Sequence, residues 1–524
     1  MKKIFFVLLF PLSLSAKAQV KDSFAIKYAN TITSADLKKH LTILASDEYE
    51  GRETGKEGQK KSANYIAGQF KKSGIPPMKD GLYFQPFAVY PSISLNTVIK
   101  IESKEYKMLE DFYYFKGTSF EAIIKEEIVF LGYGINDNKY NDYEKIEVKN
   151  KIILMFDNEP YDKDSLSLVK GKNEKSKWTK DYTEKTDEAK KQGAKAVLYV
   201  VDDFDYWIKK SKHFFESPSL SLEKPDGKEM PVIFISKKMA DEILSKSKKL
   251  KNFKTAEKVI SEKKDQQSEA LKAKITIDFK QSTEPIMTEN VIGYIEGSDL
   301  KDQVIFITAH YDHLGVHDEK VYNGADDDGS GTVSVIEIAE AFMKAKKEGC
   351  GPRRSVVLMT VSGEEKGLLG SKYYVANPIF PLTNTVCDLN IDMIGRIDEK
   401  HKDSINYIYI IGSNMLSTKL HEANEKASQW YSSLTLDYRY NDIKDKNRFY
   451  FRSDHYNFAK NNIPVIFYFN GTHADYHKET DEVDKINFDL MEKRARLVFF
   501  TAWTIANMDE KIVVDKKPEE KKEK

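Results

Sequence analysis

From about residue 286 the chain alternates continuous apolar runs with amphipathic segments, and this alternation constrains the fold more than any other feature. Residues 304–308, 355–361, 406–411 and 465–469 are nearly continuous apolar strands, and 332–343 carries helical periodicity between two of them. A strand that is apolar at every position is buried on both faces, so helices must cover both sides of its sheet. The fold class expected is α/β: a doubly wound, mostly parallel sheet with helices on both faces. Ligands of such sheets gather at the carboxyl ends of the strands, so chemistry is sought where those runs stop.

Upstream, residues 35–45 carry Leu37, Leu41 and Leu44 at helical spacing after a Thr33–Ser34 start signal. Residues 56–73 do the same with Ala63, Tyr65, Ile66 and Phe70, and the glycine-punctuated stretch 46–55 between them reads as a loop. The texture changes over 96–285. Short strand-like runs occur at 127–130, 152–156 and 230–236, a helix at 182–192 stops at Gly193 before a strand at 196–201, and 238–275 is Lys-, Glu- and Ser-rich with helical character. The division expected is a main domain in two parts, 19–95 and 286–510, interrupted by an inserted α/β domain at 96–285. A charged tail at 511–524 is expected to be disordered.

The first residues have a secretory pattern. Lys2 and Lys3 precede an apolar run over 4–14, and Ala16-Lys17-Ala18 is a small-x-small site, so a signal peptide over 1–18 with cleavage after Ala18 is expected. The run is too short to cross a bilayer, which takes ~20 residues. The mature chain is therefore expected outside the cytoplasm, periplasmic or extracellular, with no stable membrane insertion. Basic and acidic residues number 82 each, which gives no electrostatic ground for a nucleic-acid partner. Cys350 and Cys387 are too few for a disulfide framework, and whether they pair is open at this point.

Residues able to bind metal cluster where the strands end. His310-Tyr311-Asp312 follows the run at 304–308; residues two apart point to one side of an extended chain, so Asp312 can accept from the His310 ring and fix its tautomer. The loop 323–331 holds Asp326, Asp327 and Asp328, costly together unless solvated or neutralised by a cation, with flanking glycines able to bend one carboxylate inward. Glu364 and Glu365 follow the run at 355–361 and can divide the labour, one binding metal and one handling a proton. Asp392 follows another short apolar run, and Tyr476 and His477 lie beyond 465–469. Each motif alone has a bland reading, as a buried histidine or a capped acidic loop. Together they bring histidines and carboxylates to one sheet edge, a donor set that suits zinc. Two zinc ions, three carboxylates and a hydroxide would sum to neutrality. His473 reads as pocket lining, His313 and His317 as loop or packing residues, and Arg452-Ser453-Asp454-His455 as a stretch beside the pocket without an assigned role.

The series AHYDH (309–313), NGADDDGSG (323–331), SGEE (362–365), NIDMIG (390–395) and DYH (475–477) resembles the two-zinc aminopeptidase family that also includes glutamate carboxypeptidases and the transferrin receptor. LASDEYEGRETG (44–55) is similar to its bacterial branch. KNKIILMFDNEP (149–160), EAKKQGAKAVLYVV (188–201) and MPVIFIS (230–236) resemble the protease-associated domain inserted in such proteins. The resemblance implies the zinc-peptidase fold and two Zn2+ per chain. It implies His310, Asp327, Glu365, Asp392 and His477 as ligands, with Asp327 bridging and Asp326 and Asp328 as competing choices. Glu364 then matches the general base, Asp312 the residue behind His310, and Tyr476 a hydroxyl that can steady an oxyanion. The activity implied is that of an exopeptidase on peptides or proteins, an aminopeptidase first. A carboxypeptidase of the same fold, a single-zinc glutaminyl cyclase and a non-catalytic receptor-like module remain as alternatives.

Overall fold

The computed structural model of the chain describes residues 21–78, 81–91, 97–114, 126–216, 220–224, 229–279 and 284–517. The expected signal peptide lies outside them. The chain forms two compact units, one made of 1–85 with 289–524 and the other of 86–288.

The first unit is built on strands β1 (Ile286–Ile295), β2 (Leu300–His310), β3 (Arg354–Val361), β4 (Thr385–Ile391), β5 (Tyr407–Ile411), β6 (Thr435–Asp437) and β7 (Val465–Phe469). Across the sheet they run β6–β5–β7–β4–β2–β3–β1. β2 lies between β3 and β4 and is parallel to both, and β7 is parallel to β4. β1 against β3 and β5 against β7 are antiparallel. Every residue of β3, β4, β5 and β7 is buried, which is why their apolar residues do not alternate with exposed ones; the polar Asp388 and Asn390 of β4 each place a side-chain oxygen 2.8 Å from Thr308 Oγ1.

Alternate residues of the strands feed two separate cores. Ile305, Ile307, Leu358, Leu389 and Ile466 pack with helices α1 (Ser23–Ala29), α2 (Ser34–Leu44), α3 (Glu57–Ser73), α4 (Gly331–Lys347), α6 (Thr418–Tyr431) and α8 (Phe488–Asn507). Phe306, Val357, Met359 and Phe467 pack with Tyr374 of α5 (Leu369–Ala376) and Phe458 of α7 (His455–Lys460). The period of two along a strand thus produces the helix-covered sheet expected from the sequence. Local signals place the ends: the Thr33 side chain caps α2 at the Asp36 N–H, and α3 ends at Gly74 in the left-handed conformation that its missing β-carbon permits.

The stretch read as a loop at 46–55 forms tight turns over Asp47–Arg52. Arg52 is fully buried, and its guanidinium donates to the carbonyls of Leu44, Tyr311, Asn323 and Gly324 at 2.6–2.9 Å. One side chain therefore ties the N-terminal turns to the end of β2 and to the start of the acidic loop.

The second unit begins at 86 rather than 96 and ends at 288 rather than 285. Its sheet has four adjacent parallel strands, Glu126–Phe130, Ile152–Phe156, Ala196–Val200 and Val232–Ile235. The helical reading of 238–275 holds only in part. Lys237–Leu244 and Phe253–Lys263 are helices, but Glu269–Asp278 is a strand, in which Leu271, Ala273, Ile275 and Ile277 are buried at a period of two with Lys272, Lys274 and Thr276 between them.

Cys350 and Cys387 are both free thiols. Among the described residues no helix is long and apolar enough to cross a membrane. The expectation of disorder from 511 is corrected as far as 517. Ile512 is buried in the core, and the Asp515 carboxylate accepts from the Thr418 N–H at 2.8 Å. Deletion of 511–524 is expected to lower stability by about 1.5–3 kcal/mol, roughly the worth of a buried Ile. Urea unfolding measures the loss, and a change below about 0.5 kcal/mol would show that the Ile512 burial contributes nothing.

Candidate metal centre

Four neighbouring parallel strands deliver the polar residues to one edge of the first unit. His310 is the last residue of β2, Glu364 and Glu365 follow β3, Asp392 follows β4, and the chain after β7 leads to His477. The acidic loop lies ahead of α4. Gly324, at φ 52°, turns the chain there, and a β-carbon at this position would meet the Asp327 carbonyl oxygen at 2.2 Å and the His313 ring at 2.5 Å. Only glycine fits.

The three aspartates of that loop are all buried but differ in what they face. The Asp328 carboxylate accepts from the backbone N–H groups of His310 (3.1 Å), Gly331 (2.9 Å) and Met393 (3.0 Å), so it fastens β2, α4 and the end of β4 together. Asp326 accepts from the Gly395 N–H at 2.6 Å and faces His473 Nε2 at 3.1 Å. Asp327 is different. One of its oxygens lies 3.2 Å from His310 Nε2 and the other 3.2 Å from His477 Nε2. Its backbone N–H, with that of Asp326, donates to Asp481, a buried residue that no motif in the sequence singled out.

Around Asp327 the remaining donors form two groups. His310 Nε2 is 3.6 Å from an Asp392 oxygen, and His477 Nε2 is 3.2 Å from a Glu365 oxygen. Ligands of a tetrahedral zinc, at ~2.0–2.1 Å from the ion, lie roughly 3.3 Å from each other. The histidine-to-carboxylate spacings in the sets His310–Asp327–Asp392 and Asp327–Glu365–His477 therefore suit zinc, and the sets share one carboxylate; His310, Glu364 and Asp392 also form a group of potential ligands. Glu364 lies on the edge of the first set, 4.0 Å from His310 Nε2. His477 sits at φ 56°, a left-handed conformation that costs a side-chain-bearing residue roughly 1–2 kcal/mol.

Two expectations are corrected. The Asp312 carboxylate does not hold the His310 ring; Nδ1 lies 3.0 Å from the Asp312 backbone carbonyl, while the nearer carboxylate oxygen is 3.9 Å away. The carbonyl only accepts, so Nδ1 carries the proton and Nε2 faces the carboxylates. The Asp312 carboxylate instead accepts from Thr54 Oγ1 at 2.7 Å and from the Glu364 N–H at 3.2 Å, because the N-terminal turns bring Thr54 in from a distant part of the chain. His313 is no packing residue. It is fully buried, its Nδ1 lies 2.9 Å from a Glu365 oxygen, and it forms a group of potential ligands with Asp327 and Glu365. The three-residue spacing from His310 was its only signal. His317 ends a short strand, Gly315–His317, paired with Lys320–Tyr322, and faces the Leu314 carbonyl, and His455 is a core residue stacked on Phe467.

Electrostatics separates the adjacent glutamates. Burial pushes the Glu364 carboxyl well above its usual range, aided by the carboxylates of Glu365 and Asp392 against the opposing pull of His310. Glu365, equally buried, is drawn well below it because His477 and His313 outweigh burial and the nearby Asp327. Burial would lower His477, but Glu365 and Asp327 push it up to about 11. Groups whose environments drive them apart in this way suit separate proton-handling and charge-holding roles.

The donor set fits a divalent metal. Four carboxylates converge in a buried space, which is costly without positive charge. His310 Nε2, both ring nitrogens of His313 and one Glu365 oxygen lie buried without a well-directed hydrogen bond, although His313 Nδ1 and Glu365 are only 2.9 Å apart. The pocket in front also contains Met393, Phe449, Phe467, Arg452 and Tyr476, around a cavity of about 30 Å³ that has room for a water.

Residues 290–502 match peptidase family M28. The chain is 35% identical over 115 residues to a probable zinc metalloprotease of Leptosphaeria maculans, which covers 21% of this chain and 25% of that protein. It is 38% identical over 105 residues to a probable glutamate carboxypeptidase of Arabidopsis thaliana, covering 20% and 14%. The chain spans from about a quarter to about half the length of the first curated relatives it matches. In fold it is similar to an aminopeptidase from Aneurinibacillus sp. strain AM-1, with a TM-score of 0.57 and 19% identity over 95% of this chain and all of that one.

The Asp328 staple gives a test of this geometry. Asp328→Ala strands three backbone donors and is expected to cost about 3–5 kcal/mol in urea unfolding. Asp328→Asn, which keeps an acceptor oxygen, should cost distinctly less. Equal losses would show that the hydrogen bonds do not hold the loop.

Proposed function

We propose that this chain, a member of peptidase family M28, is an exported zinc-dependent exopeptidase with two zinc ions per chain. We read it as an aminopeptidase that hydrolyses the N-terminal bonds of peptides or proteins. The observation that carries the reading is the Asp327 carboxylate, which offers one oxygen to the His310 group and the other to the His477 group, each at 3.2 Å. His310, Asp327 and Asp392 would hold one ion, and Asp327, Glu365 and His477 the other. Such a pair supplies Lewis acidity and lowers the pKa of a water toward neutrality.

The chain's own residues supply the rest. Glu364 lines the pocket beside Asp327 and Asp392 without being needed in either ligand set. It accepts a proton from the attacking water and returns it to the leaving amine. Asp312 fixes where Glu364 can reach by accepting its backbone N–H. Tyr476, stacked on His477 with ring centroids 3.9 Å apart, presents its hydroxyl to the pocket and donates to the oxygen that gains charge.

Export is supported by the basic, apolar and small-residue order of the first 18 residues. The second unit is read as a protease-associated domain on its sequence resemblance. The amino-terminal polarity is supported by resemblance, and the carboxypeptidase reading has Arg452 in its favour, because a guanidinium in the pocket suits a carboxylate.

The test uses zinc-loaded protein with free, N-blocked and C-blocked peptides. The aminopeptidase reading expects cleavage of free and C-blocked peptides and none of N-blocked ones; the opposite pattern selects the carboxypeptidase. Glu364→Gln is expected to retain zinc while turnover falls about 10²–10⁴-fold, the usual worth of a general base. Undiminished turnover in that variant would remove Glu364 from the mechanism. One zinc per chain with cyclisation of N-terminal glutamine would replace the whole reading with a cyclase.

A further inference from the structure

The pocket contains a positive group that the chemistry above does not use. Apart from His477, Arg452 is the one cationic side chain among the described residues lining it. It is exposed, and among the described residues no ion pair joins it to a carboxylate, although Asp327, Glu364 and Asp392 line the same pocket. Its guanidinium lies 5.1 Å from the centroid of the Phe449 ring, and Nη2 donates to the Tyr476 hydroxyl at 3.3 Å. Two independent contacts therefore hold the group at the pocket. A guanidinium has five N–H donors, and one is engaged here. The rest of the fork is open, and a carboxylate is the group that matches it with two parallel hydrogen bonds.

We propose that Arg452 is a specificity subsite for a substrate carboxylate, so that the peptides processed best carry a negative group within one residue of the bond cleaved. The proposal rests on the peptidase reading and names the substrate class of that site. The chemistry has two sources, the free C-terminus of a dipeptide and the side chain of Asp or Glu. The Tyr476 contact gives the subsite a place in the reaction. A carboxylate on Arg452 is held one hydrogen bond away from the hydroxyl assigned to the developing oxyanion, so substrate binding and the orientation of that hydroxyl are linked. Phe449 and Phe467 line the same pocket and present apolar surface beside the fork.

The experiment compares kcat/KM for matched peptides on zinc-loaded protein. One arm pairs a dipeptide with its C-terminal amide; the other pairs peptides with Glu or Gln next to the bond cleaved. At least a ten-fold preference for the carboxylate member is expected in one arm, and that arm identifies the source. In Arg452→Ala the ratio should collapse to within about three-fold, and Arg452→Lys, which keeps the charge but not the fork, should retain an intermediate ratio. Calorimetric binding of the same pairs to zinc-loaded Glu364→Gln, with and without Arg452→Ala, gives a readout independent of turnover. A preference present in binding and lost with Arg452 supports the subsite even if no peptide is cleaved, in which case the peptidase reading is what fails. Equal affinity within both pairs, or a preference that survives Arg452→Ala, overturns it.

Discussion

A single carboxylate facing two histidines is the constraint on which the rest of the site depends. Asp327 can stand 3.2 Å from both His310 and His477 only if the loop carrying it is bent sharply and held from several sides. Gly324 makes the bend where a β-carbon would collide with the Asp327 carbonyl. Asp481 takes the backbone N–H groups of Asp326 and Asp327, Asp328 fastens the loop to β2, α4 and the end of β4, and Arg52 binds the carbonyls of Asn323 and Gly324. These supporting residues are charged and buried, which is tolerable because each is met by backbone groups of opposite polarity.

The sheet explains why such an edge exists at all. β2 runs parallel between β3 and β4, so three strands end at the same edge and place His310, the Glu364–Glu365 pair and Asp392 side by side. Helices on both faces bury the strands, and the site's polar residues emerge at the strand ends, where the backbone leaves the sheet. Burial then sorts them. Glu364 and Glu365 are neighbours in sequence with opposite shifts, because His477 and His313 face one and mainly apolar burial and other carboxylates surround the other.

Much of this is legible in the sequence alone. The continuous apolar runs at 355–361 and 465–469 are strands buried along their whole length, and the helix read at 332–343 lies within α4, because period and burial are properties of local sequence. The residues directly beyond the strand ends could be named for the same reason. What was not legible comes from distant segments meeting. Thr54 takes the Asp312 carboxylate from behind, leaving the backbone carbonyl to orient His310. His313 is brought against Glu365, and Asp481 braces the acidic loop from more than 150 residues away. The strand at Glu269–Asp278 was misread because lysines between its buried positions resemble a charged helix face.

The central claim is that Asp327 joins two metal positions. Anomalous diffraction at the zinc edge from zinc-loaded crystals tests it most directly. The account predicts two peaks ~3.5–4 Å apart, one beside His310 and Asp392, the other beside Glu365 and His477, with an oxygen of Asp327 next to each. A single peak, or a second peak bound by His313 without Asp327, would contradict it.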